Sequence, residues 1–269
     1  MNKITSGSRI AILADIHGNS IALDAVLADI ESRGGADAFW LLGDYAAIGH
    51  DPIGVLERID GLGNLSCIRG NTDRYLTGGS RPWPQQADVD ENPKLFPLYL
   101  HIARSFAWST GAVAVTGWLD WLQTLPLEYR ALLPDGTRVL AVHASPGEDD
   151  GFGLHPELSD EEIKKLTFDA GCDLLLVGHT HVPFDRSLGA LRVVNPGSVS
   201  NPLTPDLRAA YALLEVNQVS YKLSFQRVDY DRQAVIELSQ KVNHPAAEYI
   251  ASFMRGDRRP GWIAPQGDG

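Results

Sequence analysis

Short apolar runs that stop abruptly at a polar or acidic residue recur along the chain. Residues 9–14 form one such run, rich in Ile and Ala, and Asp15, Ile16, His17, Gly18 and Asn19 follow it. From 20 to about 33 the apolar positions return at helical spacing, so the segment predicts strand, loop and helix. The unit repeats. Residues 38–42 end at Gly43 and Asp44, after which Asp51 and Pro52 supply the N-cap and first-turn proline of a helix to about residue 59. Residues 65–69 end at Gly70 and Asn71, residues 138–142 at His143, and residues 173–177 at Gly178, His179, Thr180 and His181. A later helix opens at Ser159, with Glu162 three positions on to complete a capping box.

Strands alternating with helices predict an α/β fold with βαβ units and a largely parallel first sheet covered on both faces. Beyond Gly189 the runs 191–194, 209–216 and 219–226 are closely spaced, the last two joined through Asn217 and Gln218 as a hairpin. They predict antiparallel additions and hence two packed sheets with helices outside. Residues 77–130 interrupt the rhythm and hold Trp83, Trp108, Trp118 and Trp121, four of the six tryptophans. This stretch reads as an inserted helical cap whose tryptophans pack it onto the core. Pro82, Pro84, Pro93 and Pro97 exclude helix from its first part, whereas Trp118, Leu122 and Leu125 share a helical face before Pro126. The expected organisation is a single domain over 1–243, with the cap insertion at 77–130 and a loosely held C-terminal tail at 244–269.

Composition narrows the function. The 269 residues are 44% hydrophobic and 21% charged, ordinary for a globular chain, and the formal net charge of −11 argues against extended nucleic-acid binding. No window approaches the roughly 18 apolar residues of a membrane span, and residues 1–8 lack a signal-like apolar stretch. No membrane partner and a cytoplasmic location are therefore expected. Cys67 and Cys172 are 105 positions apart and belong to no ligand array, so small buried core residues are expected there.

The candidate chemistry lies at the strand ends. Asp15, Asp44, Asn71, His143 and His179 each come just after an apolar run, and the carboxyl ends of wound strands gather at one edge of a sheet. His17 and His181 sit two residues beyond a candidate, within reach of the same centre. A lone Asp or His at such a place is usually a cap, but seven metal-competent side chains at five strand ends point to metal. Two carboxylates, one amide oxygen and four imidazoles exceed one tetrahedral ion and suit two divalent ions with positions left for water and substrate. Two such ions, two carboxylates and a bridging hydroxide leave about +1, a charge that attracts an anion. Oxygen and nitrogen donors without sulfur favour manganese, iron, zinc or nickel.

In order, these blocks resemble those of the calcineurin-like metallophosphoesterases: Asp15-Ile16-His17, Gly43-Asp44, Gly70-Asn71-Thr72-Asp73, His143 and Gly178-His179-Thr180-His181. The similarity runs from about residue 9 to 228. Asn195-Pro196-Gly197-Ser198-Val199 is similar to a run in the compact bacterial and archaeal phosphodiesterase branch. The resemblance implies a four-layer αββα sandwich. It also implies that Asp15, His17 and His181 hold one ion, that Asn71, His143 and His179 hold the other, and that Asp44 bridges them. Thr72 departs from the pattern, because the family carries there a histidine credited with protonating the leaving oxygen. General acids contribute about 10²- to 10⁴-fold, so weak turnover of alkyl monoesters is expected.

The expected activity is phosphoric ester hydrolysis, foremost of a small phosphodiester, by in-line attack of a bridging hydroxide. Asp73 is a candidate for orienting Asn71 or its loop, Arg74 for reaching a phosphate oxygen, and His50 for supplying the displaced acid. The competing readings are a protein or nucleotide phosphatase on the same site, and a weakly catalytic scaffold that keeps the fold. The residues do not specify the oligomeric state.

Overall fold

The computed structural model describes residues 4–261. In β1 (Arg9–Leu13), Ala11 and Leu13 join one buried apolar cluster while Ile10 and Ile12 join another. A strand buried on both faces has no use for polar alternation, which is why the run is apolar throughout. Asn19 accepts the Ala22 N–H at 3.0 Å and caps α1 (Ser20–Ser32). After β2 (Ala38–Leu41), Asp51 accepts the Gly54 N–H at 2.9 Å and caps α2 (Pro52–Asp60). β3 (Leu65–Cys67) then leads into α3 (Asn71–Gly78).

The helical excursion expected over 77–130 consists of α4 (Gln86–Glu91), α5 (Phe96–Val115) and α6 (Trp118–Thr124), and residues 128–130 instead open β4 (Glu128–Leu132). The prolines do not bar helix from its first part. α4 fits between Pro84 and Pro93, and Pro97 occupies the first turn of α5, where its missing N–H has no intrahelical bond to lose. Trp118, Trp121 and Leu122 pack against the cluster formed by α1, α2 and the outer face of β1.

The chain continues through β5 (Arg138–Val142), α7 (Asp160–Leu166), β6 (Leu174–Leu176), β7 (Phe184–Leu188) and β8 (Leu191–Asn195). β9 (Ala209–Val216), β10 (Tyr221–Val228), α8 (Arg232–Lys241) and α9 (Ala247–Arg255) follow. Ser159 and Glu162 form the expected capping box, with Ser159 N–H reaching Glu162 Oε2 at 2.8 Å. The β9–β10 turn is longer than two residues: Val216 pairs with Tyr221, and Asn217 Oδ1 accepts the N–H groups of Val219 and Ser220.

Two mixed sheets result, in the orders β10-β9-β1-β2-β3 and β4-β5-β6-β8-β7. The two packed sheets and the antiparallel additions at β9 and β10 are as expected, whereas β5 and β6, expected to extend the parallel first sheet, lie in the second. The helical excursion packs on the outer face of the first sheet, and the chain re-enters at β4, antiparallel to β5, to start a second sheet. β8 pairs antiparallel with β7, as expected of this run, and also runs parallel to β6, with Leu176 opposite Val194. β9 returns antiparallel to β1. Between the sheets lie Ile10, Ile12, Trp40 and Leu42 from one side and Val139, Ala141, Leu174 and Leu176 from the other. Leu140, Val142, Leu175 and Val177 pack outward with Ile163 of α7, so helices cover both outer faces of an αββα sandwich.

The tail expected to be loose over 244–269 contains α9, which buries Ile250, Phe253 and Met254 against α8; residues 262–269 lie outside the described residues. Cys67 and Cys172 are half-buried rather than fully buried, both free, and burial pushes the Cys67 thiol up to about 12. Among the described residues no helix is long and apolar enough to cross a membrane.

Candidate metal centre

In parallel register Leu13 lies opposite Leu41 and Leu41 opposite Cys67, so β1, β2 and β3 end level with one another. β5 and β6 end beside them in the facing sheet. Asp15, Asp44, Asn71, His143 and His179 follow these five ends and converge across the mouth of the sandwich, rather than along one sheet edge as expected. His17 and His181 join them.

Five of the seven have left-handed backbone: Asp15 (φ 56°), His17 (47°), Asp44 (63°), His179 (67°) and His181 (58°), while only three other non-glycine described residues do. Such conformations cost about 1–3 kcal/mol each and persist where surroundings impose them. Here they turn side chains inward directly at a strand end. Two glycines leave the necessary room. A Cβ on Gly43, itself at φ 93°, would come 2.6 Å from Gly70 N, and a Cβ on Gly70 would come 2.1 Å from Asp44 Oδ1.

Hydrogen bonds aim the rings. His143 Nδ1–H donates to Leu42 O at 2.6 Å, His181 Nδ1–H to Asn201 O at 2.7 Å, and His179 Nε2–H to Gly151 O at 2.8 Å. The opposite nitrogen of each ring is thereby turned to face the centre, where it can give its lone pair to a cation. There His17 Nε2 and His181 Nε2 are 3.0 Å apart, and Asn71 Oδ1 lies 3.1 Å from His143 Nε2 and 3.2 Å from His179 Nδ1. Asp44 Oδ2 is 3.4 Å from His143 Nε2 and 3.7 Å from His17 Nε2, and Asp15 Oδ1 is 3.5 Å from His181 Nε2. Asp15 Oδ2 is buried without any hydrogen-bond partner.

The electrostatics follow from this crowding of acceptors. Burial opposes charge on His143, but Asp44 and Asp15 outweigh it and push its pKa up to about 10. Burial would raise Asp44, yet His143, His17 and His179 hold it well below the usual carboxylate range. Burial raises Asp15 and draws His17 down to about 4, with His179 and His181 lowered for the same reason. Among the described residues no Lys or Arg pairs with either carboxylate. One proton can satisfy one facing pair, but not the whole set, so the centre is built for positive charge. Divalent cations fit it: Asp15, His17 and His181 bring ligand atoms within 4.8 Å of one another, as do Asp15, Asp44 and His143.

Asp73 is buried and accepts N–H bonds from Asp44 (2.8 Å), Tyr45 (2.9 Å) and Gly70 (2.9 Å). It thus ties the β2 loop to the start of α3 and does not hydrogen-bond the Asn71 side chain. Burial and the nearby Asp44 carboxylate push its carboxyl upward, and the three N–H donors act against them. Arg74 does not reach the centre. Its Nε meets Asp149 at 2.9 Å and its Nη2 meets Asp150 at 2.8 Å. Because Asp150 Oδ1 also accepts the Gly151 N–H at 2.8 Å, Arg74 instead steadies the loop whose Gly151 carbonyl accepts the His179 N–H. His50 is buried, does not line the cavity beside the centre, and burial lowers its pKa, so it is poorly placed as a proton donor.

Sequence reasoning missed the supports. Asn195 Nδ2 donates to Gly178 O at 2.7 Å and to Thr180 Oγ1 at 3.0 Å, and Ser198 Oγ donates to Asp15 O at 2.8 Å. The Asn195–Val199 run, noted only as a family marker, therefore holds two ligand-bearing loops in place. The centre opens into a cavity of about 740 Å³ bordered by His17, Asp44, Asn71, Thr72, His179 and His181 on its floor. Trp83, expected to pack inward, is 60% exposed and lines this cavity, as do Tyr249 and Phe253 of α9.

A family model described as the calcineurin-like phosphoesterase superfamily domain matches residues 9–219. An uncharacterised protein of Methanocaldococcus jannaschii is 32% identical over 246 residues, 86% of this chain and 91% of its own. The crystal structure of a metallophosphoesterase from Sphaerobacter thermophilus superposes with TM-score 0.70 at 25% identity, covering 93% of this chain and 99% of that one. A hypothetical protein of Pyrococcus horikoshii has TM-score 0.75 at 22% identity, covering 91% and 97%, and at that identity shows the fold alone.

Proposed function

The chain belongs to the calcineurin-like phosphoesterase superfamily, and on that premise we propose that it is a metal-dependent phosphodiesterase using two divalent cations. The observation that carries this reading is the convergence of ligand atoms, with His17 Nε2 and His181 Nε2 3.0 Å apart and Asn71 Oδ1 between His143 and His179. Asp15, His17 and His181 would hold one ion, Asn71, His143 and His179 the other, and Asp44 both. Bound there, such ions would supply Lewis-acid chemistry, activating water and neutralising phosphoryl charge.

The protein's own part is positioning. Leu42, Gly151 and Asn201 carbonyls take the outer N–H of three rings and so aim the inner nitrogens at the centre, and the backbone strain at the loops is held by Asp73, Asn195 and Ser198. Thr72 N–H donates to Asp44 Oδ1 at 2.9 Å, while its buried hydroxyl has no hydrogen-bond partner and borders the cavity. A hydroxyl is no acid near pH 7, so an ester with a good leaving group suits this site better than an alkyl monoester. Hydrolysis of bis(4-nitrophenyl) phosphate is expected with added manganese and not with chelator. Metal-loaded protein that turned over neither diester nor monoester would favour a scaffold instead.

Thr72→His is expected to raise kcat/KM on an alkyl monoester by about 10²-fold, the lower end of the usual general-acid range. Steady-state rates on phenyl and methyl phosphate check it. No increase would mean that solvent already supplies the proton.

A further inference from the structure

The cavity above the centre is large for a phosphate group alone, and its walls are not those of a polar funnel. At about 740 Å³ it is of the size that encloses a whole organic ligand. Tyr75, Trp83, Phe106, Tyr249 and Phe253 line it together with Arg258. The Arg258 guanidinium lies 4.3 Å from the Tyr249 ring centroid and 5.8 Å from that of Phe253, and its Nε donates to Ser252 Oγ at 2.7 Å. The neighbouring Arg255, by contrast, is paired with Glu248 and Asp257. Arg258 forms no ion pair among the described residues, so its remaining N–H donors are available on a wall shared with aromatic rings. Glu248 and Asp257, the two carboxylates that line the same wall, are both engaged by Arg255.

We propose that this cavity selects nucleotide esters: a nucleoside base lies on the aromatic wall that includes Trp83, and a second, non-scissile phosphate is held by Arg258. The inference rests on the phosphodiesterase reading and names its substrate class. The flat π-face of a base suits the exposed Trp83 indole, and a stacked, pre-positioned guanidinium suits a phosphate bidentately. An alkyl chain would use neither the rings' faces nor the unpaired cation.

Three diesters with a common 4-nitrophenol leaving group separate the contributions: the 4-nitrophenyl esters of methyl phosphate, of thymidine 5′-phosphate, and of thymidine 3′,5′-bisphosphate at its 5′-phosphate. In each, water adds to phosphorus, the aryl P–O bond breaks and 4-nitrophenol leaves. With manganese present, kcat/KM is expected to rise about tenfold from the first to the second through stacking, and about tenfold again to the third through the charge-assisted contact. Trp83→Ala should collapse the first ratio toward one and Arg258→Gln the second. Equal rates on all three, with turnover dependent on metal, would overturn the nucleotide subsite and leave the phosphodiesterase reading standing. Calorimetric titration of the full chain with thymidine 3′,5′-bisphosphate decides the subsite even if no diester were hydrolysed. About tenfold weaker binding to Arg258→Gln than to wild type is expected, and equal binding would reject the role of Arg258.

Discussion

Asp44→Asn is expected to abolish hydrolysis of bis(4-nitrophenyl) phosphate and to lower bound metal without unfolding the protein. Asp44 contributes the charge that His17 and His143 face at 3.7 and 3.4 Å. Its other oxygen accepts the Thr72 N–H, a bond that an asparagine oxygen can keep. The substitution is therefore nearly isosteric but removes a buried negative charge from a centre that needs one. Removing one partner of a buried ionic set costs about 3–5 kcal/mol, roughly 10²- to 10⁴-fold in metal affinity. Elemental analysis after dialysis and a metal titration of activity read the effect. Activity retained at ordinary metal concentrations would reject the proposal that Asp44 is shared between two ions.

The second large effect concerns stability. Asp73→Ala would leave the N–H groups of Asp44, Tyr45 and Gly70 unpaired in the interior. Each buried orphan costs about 1–3 kcal/mol. A loss of several kcal/mol lowers the melting temperature of a domain this size by roughly 10 °C or more. Asp73→Asn retains one acceptor oxygen and also removes a charge beside Asp44, so it should fall between wild type and alanine. Thermal melts monitored by circular dichroism compare the three. An alanine variant melting within a degree or two of wild type would show that these donors find other partners.

Much of this site was legible before any coordinates because parallel strands put their carboxyl ends in predictable places. Asp15, Asp44, Asn71, His143 and His179 could be picked out as polar residues that stop apolar runs. What the pattern could not show was which strands share a sheet. β5 and β6 look like continuations of β1, β2 and β3, yet the long excursion through α4, α5 and α6 leads them into a second sheet. The prolines misled for a related reason: proline excludes helix interiors but favours first turns, and only the surrounding contacts tell the two apart.

The supporting groups were hidden because most are backbone atoms. No residue type announces that Leu42, Gly151 and Asn201 carbonyls will set three imidazole tautomers. Left-handed φ values at five candidate ligands are equally invisible in the residue pattern, although the adjacent glycines hint at tight turns. The role of α9 was missed although Ile250, Phe253 and Met254 recur at helical spacing, because so short a run adjoins a stretch rich in Pro, Gly and Arg; Tyr249, Phe253 and Arg258 become informative only once helix and following loop are folded over the cavity. Arg74 shows the reverse error, a cation next to a motif that is occupied by Asp149 and Asp150.

The proposed hydrolysis depends on a pair of cations among these seven side chains. The most direct measurement is an anomalous difference map from crystals grown or soaked with manganese. Two peaks are predicted, one beside Asp15, His17 and His181 and the other beside Asn71, His143 and His179, with Asp44 in contact with both. A fully soaked crystal with no peak among these residues, or with its manganese bound only elsewhere, would contradict it.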